Sequence, residues 1–406
     1  MAKYFAFQYL RKNQPLALYF YAVPRLCLSL MGYWPTPKAK LQCRALVHFA
    51  ILTIGVVTEL HAGFMYVISN QITLALETFC PAITSAVTLL KMFLMLRHRR
   101  DLFYVVSHLR HLLFDIKIAD GTHSIIRQNS LMAARLNFWP VSAGFSTCSL
   151  YNLKPLLLAL FVYLQGRKDE IVWSTPFNMT MPSFLLLSPY FPATYIFIAY
   201  TGYITVFMFG GCDAFYFEFC VHIGTLFKSL QEDTRALFRQ HRNVVQIDGV
   251  RSAHFEASFV VLIKRQIRII ELTHFFRQRY RTITMLHFVS ASLVIAFSIF
   301  NLMTVGGNGL GTMLYVGYTV AALSQLLIYC YGGTLVTESS MELGTVMGTC
   351  SWHLCLPKHR RYVHLFILRS QRALTMAVPF FSPSLGTFGA ILQTSGSIIA
   401  LAKSFQ

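Results

Sequence analysis

The chain has 406 residues, of which 55% are apolar, 15% aromatic and only 13% charged, and its mean hydropathy is +0.52. A soluble globular domain carries about a quarter charged residues, so the composition predicts an integral membrane protein. The net charge of +19 would suit nucleic acid, but the basic residues flank apolar runs, where lipid head groups and cytoplasmic positive charge account for them; no nucleic-acid partner is expected.

Residues 1–44 contain apolar pieces broken by Lys3, Arg11, Lys12, Arg25, Lys38 and Lys40. They lack the long apolar core and small-residue cleavage site of a secretory signal, and read as a cytoplasmic lead-in with a short membrane-surface helix near residues 16–31. Two spans follow, at residues 45–69 and 72–96, joined by a minimal turn. In residues 97–128, Leu102, Val105, Val106, Leu109, Leu112, Leu113 and Ile116 recur at helical spacing, which predicts a helix running beyond the membrane. A third span lies within residues 131–164 and is followed by a loop holding Arg167, Lys168, Asp169 and Glu170. The fourth is expected from about residue 184 to 212. From 213 to 281 the chain becomes charged but keeps a helical apolar period, which predicts two long helical arms. Spans five (282–305) and six (310–335) flank a tight Gly-Gly-Asn-Gly turn at Gly306 to Gly309. Residues 337–372 read as cytosolic.

Residues 373–402 contain no charged side chain, yet the second half holds Gln393, Thr394, Ser395, Gly396 and Ser397. A helix facing only lipid would hold larger apolar residues there. With Pro379 and Pro383 early in the run, the continuous helix is expected to begin near Pro383. At 100° per residue, Thr394, Ser397, Ile398, Leu401, Ser404 and Phe405 fall within about 120° of one another. Outward, this face turns from hydroxyls to large apolar side chains, an order that suits a pore closed by an apolar constriction. The alternative is a small-residue packing seam through Gly386, Gly389 and Gly396.

Orientation follows from the basic residues: 29 lie in the N-terminal segment and the connections on its side, and 2 on the other side. That asymmetry places the N-terminus in the cytoplasm and, after seven spans, the C-terminus outside. The sequon Asn178-Met179-Thr180 falls in a loop already placed outside, making Asn178 a candidate glycosylation site. The nine cysteines fall in cytosolic segments and spans, so no disulfide is expected, and the Cys350 and Cys355 pair lacks a partner pair for zinc.

Ionisable residues inside spans are functional candidates: Glu59, His61, Glu77, Lys91 and Lys154. Their structural reading has Lys91 and Lys154 reaching toward an interface, and Glu59 and His61, on different faces of their helix, finding separate partners. No carboxylate pair, Ser-His-Asp grouping, HExxH, Walker motif or nucleotide fingerprint occurs in a plausible context. The chain is therefore not read as an enzyme, and no cofactor or metal is expected. Aromatics crowd the outer halves of spans two to six. Phe79, Phe145, Tyr151, Tyr195, Tyr200, Tyr315 and Tyr318 are the candidates for a ligand pocket, the last two sharing one helix face. Such a pocket would take a small, mostly apolar ligand with one or two polar atoms.

Cys330-Tyr331-Gly332-Gly333-Thr334-Leu335 followed by Glu338-Ser339-Ser340, then Trp352, Arg369-Ser370-Gln371-Arg372, Thr387-Phe388 and Leu392-Gln393-Thr394-Ser395-Gly396-Ser397, resembles the signature of insect odorant receptors. A departure stands at Ile398 and Ile399, where the family commonly has an aromatic pair. The resemblance implies an all-α membrane protein with seven transmembrane helices, cytoplasmic N-terminus, extracellular C-terminus and long cytoplasmic helical extensions. Residues 1–406 would form one membrane domain: cytoplasmic segment 1–44, helices one to six in 45–336, a cytoplasmic anchor segment at 337–372 and a pore-lining helix seven in 373–406. It further implies an odorant-gated, non-selective cation channel subunit that assembles with an odorant co-receptor as a heterotetramer in the plasma membrane of a sensory-neuron dendrite. The family's pore constriction matches Leu401 and Phe405, with Ser404 between, and its pocket tyrosines match Tyr315 and Tyr318. A gustatory-type channel shares the topology, but its usual final TYxxxxxQF pattern is absent. A G-protein-coupled receptor would put the 29 basic residues on the wrong side, and DRY-like and NPxxY motifs are missing.

Overall fold

A computed structural model of the chain describes residues 2–37, 42–114, 122–167, 173–240, 249–304, 309–355 and 357–404. These residues form α1 (Ala2–Phe5), α2 (Leu16–Tyr19), α3 (Ala22–Met31), α4 (Cys43–Ile68), α5 (Ile72–Arg97), α6 (Arg99–Phe114), α7 (Thr122–Leu164), α8 (Phe191–Gln240), α9 (Gly249–Thr304), α10 (Gly309–Thr349), α11 (Pro357–Gln371) and α12 (Leu385–Ser404). Their β pairing amounts to an isolated bridge, Val378 to Phe381. Among the described residues, six helices, α4, α5 and α7 to α10, are long and apolar enough to cross a membrane. Ile54, Val57, Phe64, Trp139 and Phe161 stand exposed on them, a lipid-facing surface rather than a soluble one. The molecule is an all-helical, multi-pass membrane protein.

Local chemistry explains most helix ends. Asn70 takes a left-handed conformation in the turn between α4 and α5, a region asparagine tolerates better than most residues. The fourth span begins later than expected, because Ser183–Leu186 is a separate 3-10 turn and α8 starts at Phe191. Pro189 disfavours helix at the preceding residue, whereas Pro192 sits harmlessly in the first turn. Once started, α8 continues without a break for 50 residues, roughly 75 Å at 1.5 Å per residue, far more than a bilayer core of about 30 Å. With α9, of 56 residues, it builds the two expected arms. The Gly306 to Asn308 part of the expected turn, and Ile116 of the amphipathic stretch, lie outside the described residues.

The arms pack on an aromatic column. Phe219 and Phe276 stack at 3.8 Å, Tyr216 and Tyr329 at 4.3 Å and Phe276 and Tyr280 at 4.8 Å, while the Tyr280 hydroxyl donates to the Cys212 carbonyl at 2.7 Å. Each fully buried ring contributes about 2–3 kcal/mol, so α8, α9 and α10 are held firmly where they leave the apolar spans.

The N-terminal helix does not lie on the membrane surface. Tyr21, in a left-handed conformation, separates α2 from α3. Ala22, Val23, Leu26, Cys27 and Leu28 of α3 are buried in the protein. A Cβ at Gly211 of α8 would meet Cys27 at 2.9 Å and Leu28 at 3.1 Å, so the missing side chain lets α3 seat closely. α3 is apolar on nearly every side except at exposed Arg25, and such a helix is better satisfied by protein than by an interface.

Candidate functional site

A cavity of about 100 Å³ lies among α4, α5, α7, α8, α9 and α10. Its walls carry Glu59 from α4, Thr84 and Ser85 from α5, Thr147 and Tyr151 from α7, Thr205 and Phe209 from α8, His287 and Ser290 from α9, and Tyr318 and Gln325 from α10. Phe177 and Met179 of the loop before α8 complete it. A Cβ at Gly202 would lie 2.9 Å from both Phe177 and Cys148, so this glycine admits the loop. The loop is tied down elsewhere: the Thr180 amide donates to the Thr58 carbonyl at 3.1 Å, and His61 Nδ1 and the Thr180 hydroxyl are 3.0 Å apart.

Of the seven candidate pocket aromatics, the structure brings Tyr151 and Tyr318 together on this cavity, with ring centroids 6.4 Å apart. The Tyr318 hydroxyl donates to the Cys80 carbonyl at 3.0 Å and lies 2.6 Å from the Thr84 hydroxyl. The other five stand off it. Tyr315 turns to Glu77; Phe79 packs edge-on against Phe64 and over Gly63; Phe145 packs on Tyr203 and Phe207. The Tyr195 hydroxyl donates to the Asn152 carbonyl, and Tyr200 shares a 2.8 Å hydrogen bond with His48 Nε2. A second hollow, of about 220 Å³, lies beside the first and shares Pro81, Tyr151 and Phe177 with it. Tyr151 and Phe177, stacked at 5.4 Å, form the partition. Lys154 and Glu77, paired at 3.6 Å, line the second hollow with Asn178, whose amide donates to the Thr78 hydroxyl at 3.1 Å.

Beneath the cavity lies an ionic group that the sequence reading does not assemble. Lys91 reaches no interface. It is fully buried, its Nζ 2.6 Å from Asp213 Oδ1 and 3.4 Å from the centre of the Phe209 ring. The Tyr329 hydroxyl donates to the same Asp213 oxygen at 2.9 Å, and His287 Nδ1 lies 3.6 Å from Asp213 Oδ2. A lysine in an apolar interior needs an anion, and Asp213, predicted to lie just beyond span four, supplies it because α8 continues straight through. Lys154 likewise pairs with Glu77 instead of extending to water. Glu59 and His61 find separate surroundings, as expected. Sequence could have flagged Thr205, Ser290 and Gln325 as polar residues inside spans, and His287 as an ionisable residue within the expected fifth span; Phe209 carries no local signal of its place.

The signature residues fasten α12 to α10. An added Cβ at Gly333 would fall 2.2 Å from the Pro383 carbonyl oxygen, so glycine permits this backbone contact. The Leu385 amide donates to the Thr334 hydroxyl at 3.0 Å, and Ser384 caps α12 by accepting from the Thr387 amide at 3.1 Å, satisfying donors that a helix start leaves open. The Leu374 amide donates to Ser340, Gln231 to the Ser339 carbonyl and Gln266 to the Ser370 hydroxyl. On α12, Ser395 is buried, whereas Thr394 and Ser397 are exposed, each donating one turn back to a carbonyl. A Cβ at Gly389 or Gly396 would meet nothing within 4 Å, and one at Gly386 only Ser384; among the described residues the small-residue seam therefore packs on no other helix. Ile398, Leu401 and Ser404 belong to α12 by backbone, with side chains outside the description; Phe405 lies outside the described residues. Among the described residues, no group of three His, Cys, Asp or Glu is placed to hold a metal ion.

A family model described as 7tm Odorant receptor matches residues 71–396. Odorant receptor 10a of Drosophila melanogaster is 60% identical over 401 residues, covering 98% of this chain and 99% of that one. Odorant receptor 22c of the same fly is 32% identical over 406 residues, covering 97% and 99%. Among solved structures, the insect olfactory receptor OR5 from Machilis hrabei in complex with eugenol has the same fold, with a TM-score of 0.76 at 14% identity and full coverage of both chains. The signature at the joint of α10 and α12, a family match across most of the chain and the near full-length relatives agree: this chain belongs to the insect odorant receptor family, whose members are receptors and not enzymes.

Proposed function

We propose that this chain is the odour-binding subunit of an odorant-gated, non-selective cation channel. The observation that carries the reading is the cavity with Tyr151 and Tyr318 on its wall, together with α12, whose hydroxyl-bearing face is open and whose base is fastened to α10. A small volatile ligand enters by way of the second hollow and past Tyr151 and Phe177, and its volume suits a cavity of about 100 Å³. Phe79, Phe145, Tyr195, Tyr200 and Tyr315 act as the supporting shell. α12 is the seventh crossing: its 20 residues span about 30 Å, one bilayer core. The N-terminus is cytoplasmic, the C-terminus extracellular, and Thr394, Ser397, Ile398, Leu401, Ser404 and Phe405 line the ion path, with Leu401 and Phe405 as its constriction.

The open side of α12 and its unpacked glycines support assembly with further subunits around that path. The partners are an odorant co-receptor in a heterotetramer, membrane lipid and the permeating cations, in the plasma membrane of a sensory-neuron dendrite. Residues 337–372, with α11 in them, act as the cytoplasmic anchor of a single 406-residue domain.

Coexpressed with a co-receptor, the chain is expected to give ligand-evoked inward cation current that persists under G-protein inhibition. Loss of all response under the inhibitor would refute the channel reading. Leu401→Ala should leak current at rest; a variant as silent as the parent would refute the placement of the constriction. An N-terminal epitope labelled on intact cells would refute the topology.

A further inference from the structure

In the motif Arg369-Ser370-Gln371-Arg372, Ser370 accepts from Gln266 at 2.9 Å, whereas neither arginine has an acidic partner among the described residues. Other arginines of the helical arms are paired: Arg235 with Glu232, Arg265 with Asp233 and Arg279 with Asp101. Arg277 of α9 resembles the first two, for its Nη1 donates to a backbone oxygen, the Thr375 carbonyl, at 3.2 Å. The bonds from Gln266 to Ser370 and from Arg277 to Thr375 lay α9 along the end of α11 and the segment that follows it. His274 stands between these two ties on α9, within electrostatic reach of both Arg277 and Arg369, and Arg369 reaches the Arg372 carbonyl at 3.5 Å. The chain carries no acidic residue after Glu342, and α9 none after Glu271. Glu271 and Glu338 are exposed and stand in no ion pair among the described residues.

The depth of this basic group suits a lipid head group. The fifth crossing is expected from residue 282, so Arg277 precedes it by about 7.5 Å of helix, and head groups extend roughly 5–8 Å beyond the hydrocarbon core. On the segment between α11 and α12, Phe380 is 95% exposed. A soluble anion would leave that ring in water, whereas an acyl chain would cover it.

We propose that Arg277, Arg369 and Arg372 hold the phosphorylated head group of an inner-leaflet lipid, a phosphoinositide, at the base of α12. The proposal rests on the cytoplasmic placement of this end of the molecule. The guanidinium forks take phosphate oxygens in pairs, His274 completes the cationic wall, and Phe380 meets the acyl region. The bound lipid braces the segment that leads into α12, which is otherwise held to α10 by the Leu374 amide on Ser340 and the Leu385 amide on Thr334.

The test uses the purified complex with a co-receptor, in detergent, titrated with three probes: dioctanoyl phosphatidylinositol bisphosphate, dioctanoyl phosphatidylserine and free inositol trisphosphate. Native mass spectrometry follows adducts, and the thermal midpoint follows protection. Co-receptor sites are common to every sample, so variants of this chain carry the comparison. The bisphosphate lipid should bind and protect at the lowest concentration, with inositol trisphosphate ineffective there. At about fivefold per arginine, Arg369→Gln/Arg372→Gln should need roughly thirtyfold more lipid. Arg369→Lys/Arg372→Lys, which keeps the charge and loses the fork, should fall between. Arg360→Gln/Arg361→Gln removes the same charge from the other end of α11 and should match wild type. Unchanged affinity in Arg369→Gln/Arg372→Gln, an equal loss in Arg360→Gln/Arg361→Gln, or equal binding of phosphatidylserine overturns the site. Equal protection by inositol trisphosphate overturns the lipid as its occupant. Should the double glutamine variant not assemble, Arg372→Gln, at an exposed position, decides by its fivefold loss. Binding in detergent does not depend on orientation, so an N-terminal epitope labelled on intact cells overturns the leaflet and leaves the headgroup site standing.

Discussion

Lys91 and Asp213 offer the sharpest test of the packing. Both side chains are essentially inaccessible, Nζ and Oδ1 are 2.6 Å apart, and the lysine also sits over Phe209. Asp213→Asn keeps the shape and removes the anion, stranding an ammonium in a low-dielectric interior. Breaking one side of such a pair costs about 3–5 kcal/mol. Against a total stability of about 5–15 kcal/mol, either single variant removes a large share.

The double variant Lys91→Met/Asp213→Leu carries neither charge and fills similar volume. It loses the Asp213 acceptor of the Tyr329 hydroxyl, 2.9 Å away, a cost of about 1–3 kcal/mol for the stranded donor. Thermal unfolding of the purified receptor, followed by the loss of the monodisperse peak on size exclusion, should order the proteins as wild type, then double variant, then both singles. Singles as stable as wild type, or a double variant below both, would refute the assignment of a dry, mutually dependent pair.

Gly333→Ala forces the base of α12 off Pro383, where the added carbon would lie 2.2 Å from a carbonyl oxygen; evoked current should change at unaltered surface expression, whereas Gly348→Ala, with open space around it, should be neutral. Burial pushes the Cys27 thiol up to about 12, while Cys43 is exposed; because the thiolate is the reactive form, N-ethylmaleimide should label Cys43 and spare Cys27 in the native protein, as peptide mass spectrometry would show. Asn178 is half-buried with its amide donated to Thr78, so deglycosylation should leave the folded receptor's mobility unchanged. A shift abolished by Asn178→Gln would mean that this loop is seated differently.

The spans and arms are legible in the sequence because their apolar period is long and repeated. The place of α3 is not, since a short apolar helix reads alike on a bilayer surface and inside a protein. Pocket aromatics are legible only to within a helix rotation. Tyr315 and Tyr318 lie about 60° apart on α10 at 100° per residue, enough to send one to Glu77 and the other to the cavity. Tyr195 and Tyr200 have polar tips that find Asn152 and His48 instead, partners that sequence separation conceals. The Lys91 and Asp213 pair is concealed for the same reason, since the two stand 122 positions apart in the chain.

The same pair bears on how a filled cavity could reach α12, the helix proposed to line the ion path. Phe209 and His287 belong to the cavity wall, and both touch the buried ionic group: Phe209 lies under the Lys91 ammonium, and His287 stacks on Tyr329 at 4.0 Å. The next residue, Phe288, stacks on Phe381 at 5.3 Å, close before the start of α12. A ligand that displaces the His287 ring therefore acts on the base of α12 through two ring contacts, without a change in the helices between. If the coupling runs this way, Phe381→Ala should lower the maximal current while leaving ligand-induced thermal protection intact, because the cavity itself is untouched. Equal loss of protection and current would mean that Phe381 supports the cavity and not the connection.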